Sequence, residues 1–352
     1  GFIGLAAAME DVLDRVRRWT GERRFQLGAQ LIEGRTDPLV AARSLSDIAD
    51  AAMAVIVPAV AADFARAHGR VAGGEMVVLA LGRYGGRALT HASDLDLIYL
   101  FTGSHEAISD GARPLAATLY FNRLAARLTA ALSVPTAAGA LYEVDTRLRP
   151  WGAKGMLALS VASFARYQAE EAESWEHMAL TRARVVAGQY AEANAVIADT
   201  LGAPRDAETL RRAVAAMRAD VGAAKPAKGA HDVKLAPGGL VDLEFLVHFL
   251  QLRDRMAFGP DLGTAIAALT AAGRLPAGLD AAHDVLTRFL VLLRLITPGA
   301  DVPAGFSPAV EAMLARCLGA ASFPAVAEQL ALAKTAVRLA FQSIVLTKGA
   351  SA

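Results

Sequence analysis

The stretch GRYGGRALTHASDLDLIYLF, residues 82–101, decides how the rest of the chain is read. Gly85 and Gly86 make a Gly-Gly pair, and eight residues after it come two carboxylates, Asp94 and Asp96, at the mouth of an apolar run through Leu97, Ile98, Tyr99, Leu100 and Phe101. Side chains alternate across a strand, so Asp94 and Asp96 share one face while Leu95 and Leu97 point to the other. Two like charges about 4 Å apart repel by roughly 4 kcal/mol at an effective dielectric near 20. A strand entering a core has little reason to begin this way unless a cation is to be held there.

A second stretch, LYEVDTRLR at 141–149, alternates with period two and is expected to place Glu143, Asp145, Arg147 and Arg149 on one strand face. If the two strands are neighbours, Asp145 completes a three-carboxylate site. Carboxylate oxygens with room for water and phosphate suit Mg²⁺. Two such ions, bridged by shared aspartates, clamp the attacking and leaving oxygens of a phosphoryl displacement. Gly85 and Gly86 would let the backbone approach a triphosphate, and Ser93 would donate to a phosphate oxygen. Arg147 and Arg149 carry forked donors that match triphosphate oxygens, or else neutralise nearby acids. Lys234, just before Gly238 and Gly239, reaches a phosphate or is solvated. The bland alternatives are a solvated strand end for Asp94 and Asp96, and an ion pair with Arg147 for Asp145. GRYGG is neither G-x-G-x-x-G nor G-x-x-x-x-G-K-[ST], so neither a Rossmann nor a P-loop site is expected.

Composition narrows the classes. The 352 residues are 54% hydrophobic and 20% charged, which excludes extended disorder. With 36 Lys+Arg against 35 Asp+Glu, the net charge of +1 gives no global field toward nucleic acid or an anionic membrane. The single cysteine, Cys317, excludes an internal disulfide and fits a reducing cytosol. The longest uncharged stretch, Leu128 to Tyr142, is fifteen residues broken by Pro135 and Gly139, too short to span a bilayer. No signal peptide opens the chain, which begins at Gly1 without an initiator Met. A cytoplasmic protein, cut from a longer one, is expected.

Helical periodicity from Ala6 to about Arg70 predicts two helices broken near EGRTDP. Residues 71–202 predict a small mixed α/β domain: strands at MVVLALG, DLDLIYLF and LYEVDTRLR, and a helix from about Arg113 to Leu132. Helices are then expected at 161–187, 189–201, 206–222, 240–258, 262–273, 279–296 and 308–346, with a Gly/Pro/Lys-rich joint at 222–239. The expected fold class is thus α+β, in three parts: helices at 1–70, a catalytic domain at 71–202 and an all-α bundle at 203–352.

GRYGGRALTHASDLDLIYLF resembles the Gly-Gly to Asp-x-Asp element of polymerase-β-type nucleotidyltransferases. With YEVDTRLRPWGAKGML (142–157), SWEHMALTRARVV (174–186) and HDVKLAPGGLVDLEF (231–245), it resembles the glutamine synthetase adenylyltransferase family. That family has two related nucleotidyltransferase halves, one attaching AMP to glutamine synthetase and one removing it. Thr146 in EVDTRLRP, the GAKGM run and His177 in WEH resemble the attaching, carboxyl-terminal half, and one set of motifs is present. The resemblance implies ATP as substrate, two Mg²⁺ ions on Asp94, Asp96 and Asp145, and nucleotide contacts from Gly85, Gly86, Ser93, Arg147, Arg149 and Lys234. It implies glutamine synthetase as protein substrate, a PII-type nitrogen-signalling protein as a further partner, and a role in nitrogen assimilation. The rivals are phosphate-dependent deadenylylation, a nucleic-acid nucleotidyltransferase such as a tRNA end-adding enzyme, and a catalytically silent helical module that binds regulators. The lack of a basic, aromatic-interleaved tract weighs against nucleic acid. The pairs His231-Asp232 and His283-Asp284 are read as structural, since no further metal-ligand constellation surrounds them.

Overall fold

The computed structural model describes residues 2–297, 299 and 301–347, with side chains described from residue 9 onward. Two long helices come first, α1 (Phe2–Ile32) and α2 (Pro38–His68). They part at the expected EGRTDP break, where Gly34 takes φ +72° and the Asp37 side chain caps α2 through Leu39 N at 2.8 Å. By length and composition α2 would pass as a membrane span, yet one face of it, from Ala41 and Leu45 through Met53, Ile56 and Phe64, is buried in this fold.

The sheet follows: β1 (Met76–Ala80), a one-turn helix α3 (Gly82–Gly85), β2 (Leu95–Phe101), α4 (Ala117–Ser133), β3 (Val144–Asp145), β4 (Ala158–Ser160), α5 (Val161–Glu170), α6 (Ser174–Leu180) and β5 (Arg184–Ala187). The strand order is β3-β2-β1-β5, with β1 antiparallel to β2 and β5. The far edge of β2 is shared, since β3 pairs with its start and β4 with its end, both parallel. β1 is buried along its length, as is β2 except at Asp96, as expected of central strands in a mixed sheet. Helix α4 covers one face, where Phe121 stacks on Phe101 with ring centroids 4.5 Å apart.

The remainder is helical: α7 (Ala191–Gly202), α8 (Ala207–Ala224), α9 (Leu240–Asp254), α10 (Leu262–Ala271), α11 (Leu279–Ile296), α12 (Pro308–Cys317) and α13 (Phe323–Phe341), ending in a π turn at Gln342–Leu346. Helix α11 packs on both α13 and α2, and nearly all the buried hydrophobic residues described form one connected cluster from Val16 to Val345. An α+β architecture is therefore present.

Three expected elements differ. The helix expected over 161–187 is two helices and a strand: ARVV is β-branched and completes the sheet beside β1. The strand expected over 141–149 pairs only at Val144 and Asp145, because the chain turns at Thr146 to make the 146–155 loop. The helix expected over 308–346 is broken at Gly319, which takes φ +68°.

Candidate active site

Parallel pairing of β2 and β3 sets Asp96 opposite Asp145, and Asp94 stands two residues before Asp96 on the same face. One ligand oxygen from each of Asp94, Asp96 and Asp145 lies within 4.8 Å of the others. The expected convergence of the three aspartates is thus present. Neither Asp94 nor Asp96 has a side-chain hydrogen bond or ion pair among the described residues. Burial, then repulsion from Asp94 and Asp145, pushes the Asp96 carboxyl up to about 6. An all-oxygen donor set whose mutual repulsion outweighs the nearby cations fits a hard divalent cation such as Mg²⁺.

Asp145 is the partnered member. Arg147 Nε lies 2.9 Å from its Oδ2, the Arg147 backbone N–H donates to its Oδ1 at 2.8 Å, and these contacts hold the carboxyl below its usual range. Arg147 is otherwise largely exposed, with 76% of its side chain accessible, and can swing away without loss of packing.

Arg149 does not share the strand face expected of it. Its guanidinium donates to Thr146 O at 2.8 Å, Thr146 Oγ1 at 2.9 Å, and Ala153 O and Gly155 O at 3.3 Å, which spends its donors on closing the 146–155 loop. Ser93 Oγ accepts from Thr90 N at 3.0 Å and lies 2.9 Å from Thr90 Oγ1, fixing the turn before β2.

The glycines are demanded by protein neighbours. A Cβ at Gly85 would strike the carbonyls of Arg182 and Ala80; one at Gly86 would sit 3.0 and 3.2 Å from Arg182 Nε and Nη2. The glycine against the carboxylates is Gly82, at φ +53°, where a Cβ would fall on Asp96 Oδ2. The sequence reading passed over it.

Lys234 is brought to the site. Asp232 accepts from Lys234 N at 3.0 Å and Leu235 N at 2.9 Å, an Asx-type turn that fixes the backbone at the lysine. There its charge acts on Asp94 and Asp96, while burial and Arg83 pull its pKa down. The residue itself remains exposed to solvent. Sequence reading also missed Arg182, inside SWEHMALTRARVV, and Glu244, inside HDVKLAPGGLVDLEF. They pair at 2.9 Å, with only 8% and 19% of their side chains accessible. His231 and Asp232 are structural as expected: His231 bonds Pro303 O at 3.1 Å and packs on Phe306. Cavity size does not mark the site, since a cavity of about 830 Å³ between α2, α4 and residues 70–76 holds none of the aspartates.

Residues 3–198 match the family model described as glutamate-ammonia ligase adenylyltransferase. The chain is similar to bifunctional glutamine synthetase adenylyltransferase/adenylyl-removing enzymes. It is 43% identical to that of Mesorhizobium japonicum over 314 residues, 85% of this chain and 32% of the relative. It is 43% identical to that of Rhizobium meliloti over 305 residues, 84% and 31%, and 38% identical to that of Brucella suis over 354 residues, 98% and 36%. The chain spans about a third of the length of these relatives. With the Asp-x-Asp element and its third aspartate inside the matched span, the chain belongs to the glutamate-ammonia ligase adenylyltransferase family.

Proposed function

We propose that this chain transfers the adenylyl group of ATP to a tyrosine of glutamine synthetase, on a polymerase-β-type nucleotidyltransferase fold. The observation that carries this is the convergence of Asp94, Asp96 and Asp145 through the β2–β3 register. The tyrosine oxygen forms a bond to the α-phosphorus, the bond from that phosphorus to the bridging oxygen breaks, pyrophosphate leaves with the electron pair, and the phenolic proton passes to solvent. Asp94, Asp96 and Asp145 would hold two Mg²⁺ ions, which supply charge neutralisation of the phosphates and a lowered pKa for a phenol whose ordinary value is ~10. Arg147 releases Asp145 when the site fills and turns its free fork to the nucleotide. Lys234 reaches the phosphates from the other wall. Arg149, Gly85 and Gly86 act one step removed: Arg149 holds the loop after Asp145, and the glycines admit Arg182.

In this reading, residues 71–202 carry the chemistry, 1–70 brace them, and 203–352 contribute Lys234 and grip the protein substrate. A cytoplasmic setting and a PII-type regulatory partner belong to the same reading and rest on the family resemblance. The names of the relatives cover both attachment and removal of AMP, so phosphate-dependent release of ADP from modified glutamine synthetase is the second reading. Thr146 and His177 favour attachment. Supplying ATP and unmodified glutamine synthetase in one assay, and phosphate and the modified form in another, separates the two.

A further inference from the structure

The charged side chains around the aspartates divide between two ends of the site. At one end stand Asp94 and Asp96, with no ion pair among the described residues. At the other stand Arg83, Arg182 and Lys234 around one carboxylate, Glu244. Arg83 spends only its Nε, which donates to Ala88 O at 2.9 Å, and its terminal nitrogens have no partner among the described residues. The Lys234 ammonium has none either. Arg182 is 7% exposed, and its Nε is buried without a hydrogen bond although Glu244 takes its Nη1. Arg83, Gly86, Arg182 and Glu244 line one crevice.

We propose that Arg83, Arg182 and Lys234 form a polyphosphate subsite that binds the pyrophosphate portion of the donor, with Glu244 as the resident counter-anion that the phosphates displace. The inference rests on the adenylyl-transfer reading for the identity of the donor, and on this cleft alone for its chemistry. Arg83 comes from the α3 turn after β1 and Lys234 from the joint before α9, so the subsite forms only when both segments are in place. Burial, with Arg182 and Arg294 beside it, already pulls the Arg83 guanidinium down to about 10, a cost that a polyanion would relieve. Glu244 is pushed up by burial but held down to about 2 by Arg182 and Arg83, so it stays charged beside the two guanidiniums.

The test is calorimetric titration of the whole chain with inorganic pyrophosphate and Mg²⁺, alongside ATP and AMP. Arg83→Gln and Lys234→Met should each weaken pyrophosphate by roughly tenfold or more, as expected for a lost charge-assisted contact. AMP should bind as before, so the preference for ATP over AMP shrinks by the same factor. Arg83→Lys should restore part of the loss. Glu244→Gln should lower the melting temperature of the empty protein and tighten pyrophosphate several-fold, with pyrophosphate restoring the lost temperature. A purely structural cluster would lower melting temperatures without changing the ATP-to-AMP ratio, and that result would overturn the proposal. So would pyrophosphate affinities equal to wild type in folded Arg83→Gln and Lys234→Met. Pyrophosphate binding as predicted, with no adenylylated glutamine synthetase, would instead sink the adenylyl-transfer reading and leave the subsite standing.

Discussion

Asp96 bears most of the electrostatic strain in this site. Its carboxyl, ordinarily at 3.8, stands at about 6 in the folded chain. Between those values the native protein keeps a proton that the unfolded chain has lost, so stability of the metal-free protein falls as pH rises from about 4 to about 6. Asp96→Asn removes that penalty: the variant should melt above wild type at pH 7, and the gap should close below about pH 4. Mg²⁺ should raise the wild-type melting temperature more at pH 7.5 than at pH 5, because below about 6 it competes with the proton on Asp96. In Asp96→Asn that pH dependence should vanish. Asp94→Asn and Asp96→Asn should each lower transfer by ~10²-fold or more while the fold persists, the loss expected when a charge that serves the transition state is removed. Gly82→Ala should cost stability by more than about 1 kcal/mol, through its positive φ and the crowding of Asp96, and transfer should fall with it. Thermal melts and an adenylylation assay check both.

The elements around the site are tied in series. Arg149 closes the 146–155 loop, and Trp151 at its tip reaches Glu171 Oε2 through Nε1 at 2.9 Å and packs edge-on against Tyr167. Tyr167 donates to Glu176 at 2.8 Å, Thr181 Oγ1 lies 2.8 Å from His248 Nδ1, and Arg182 pairs with Glu244. The three downstream motif blocks are thereby joined into one support. Arg149→Gln should slacken the loop behind Asp145: turnover should drop ~10–100-fold, as misplacement of a reacting group does, while the ATP dissociation constant from calorimetry stays nearly constant. An equal loss in both would return Arg149 to the nucleotide.

The carboxylates were legible because Asp-x-Asp at a strand start and an alternating EVD both carry a local period-two signal. The pairing of Asp96 with Asp145 follows from β2 and β3 being neighbours, a condition the sequence could state but not supply. Arg182, Glu244 and Gly82 escaped notice because their meaning is tertiary: an arginine in ALTRARVV reads like any other until Gly86 is seen pressed against it. Arg149 misled for the opposite reason. Its spacing from Asp145 fits a strand face, but hydrogen bonds inside the loop outweigh the alternation once the chain turns at Thr146.

Across the whole molecule, the helical remainder does more than follow the sheet. Helix α11 packs on α2, the joint before α9 supplies Lys234, and α9 supplies Glu244. Ending the chain near Gly222 would uncover the apolar face of α2 and leave Arg182 without its counter-charge. Such a protein should melt well below the whole chain and bind ATP weakly if at all. Retention of full stability would show that α11 is not needed to cover α2.

One measurement bears on the function most directly. The whole chain is incubated with ATP, Mg²⁺ and unmodified glutamine synthetase, released pyrophosphate is quantified, and tryptic peptides are weighed. The expected result is AMP on a tyrosine of glutamine synthetase, matched mole for mole by pyrophosphate and absent with Asp94→Asn. No adduct under these conditions, with ADP released instead when phosphate and the modified enzyme are supplied, would contradict it and assign the chain to removal.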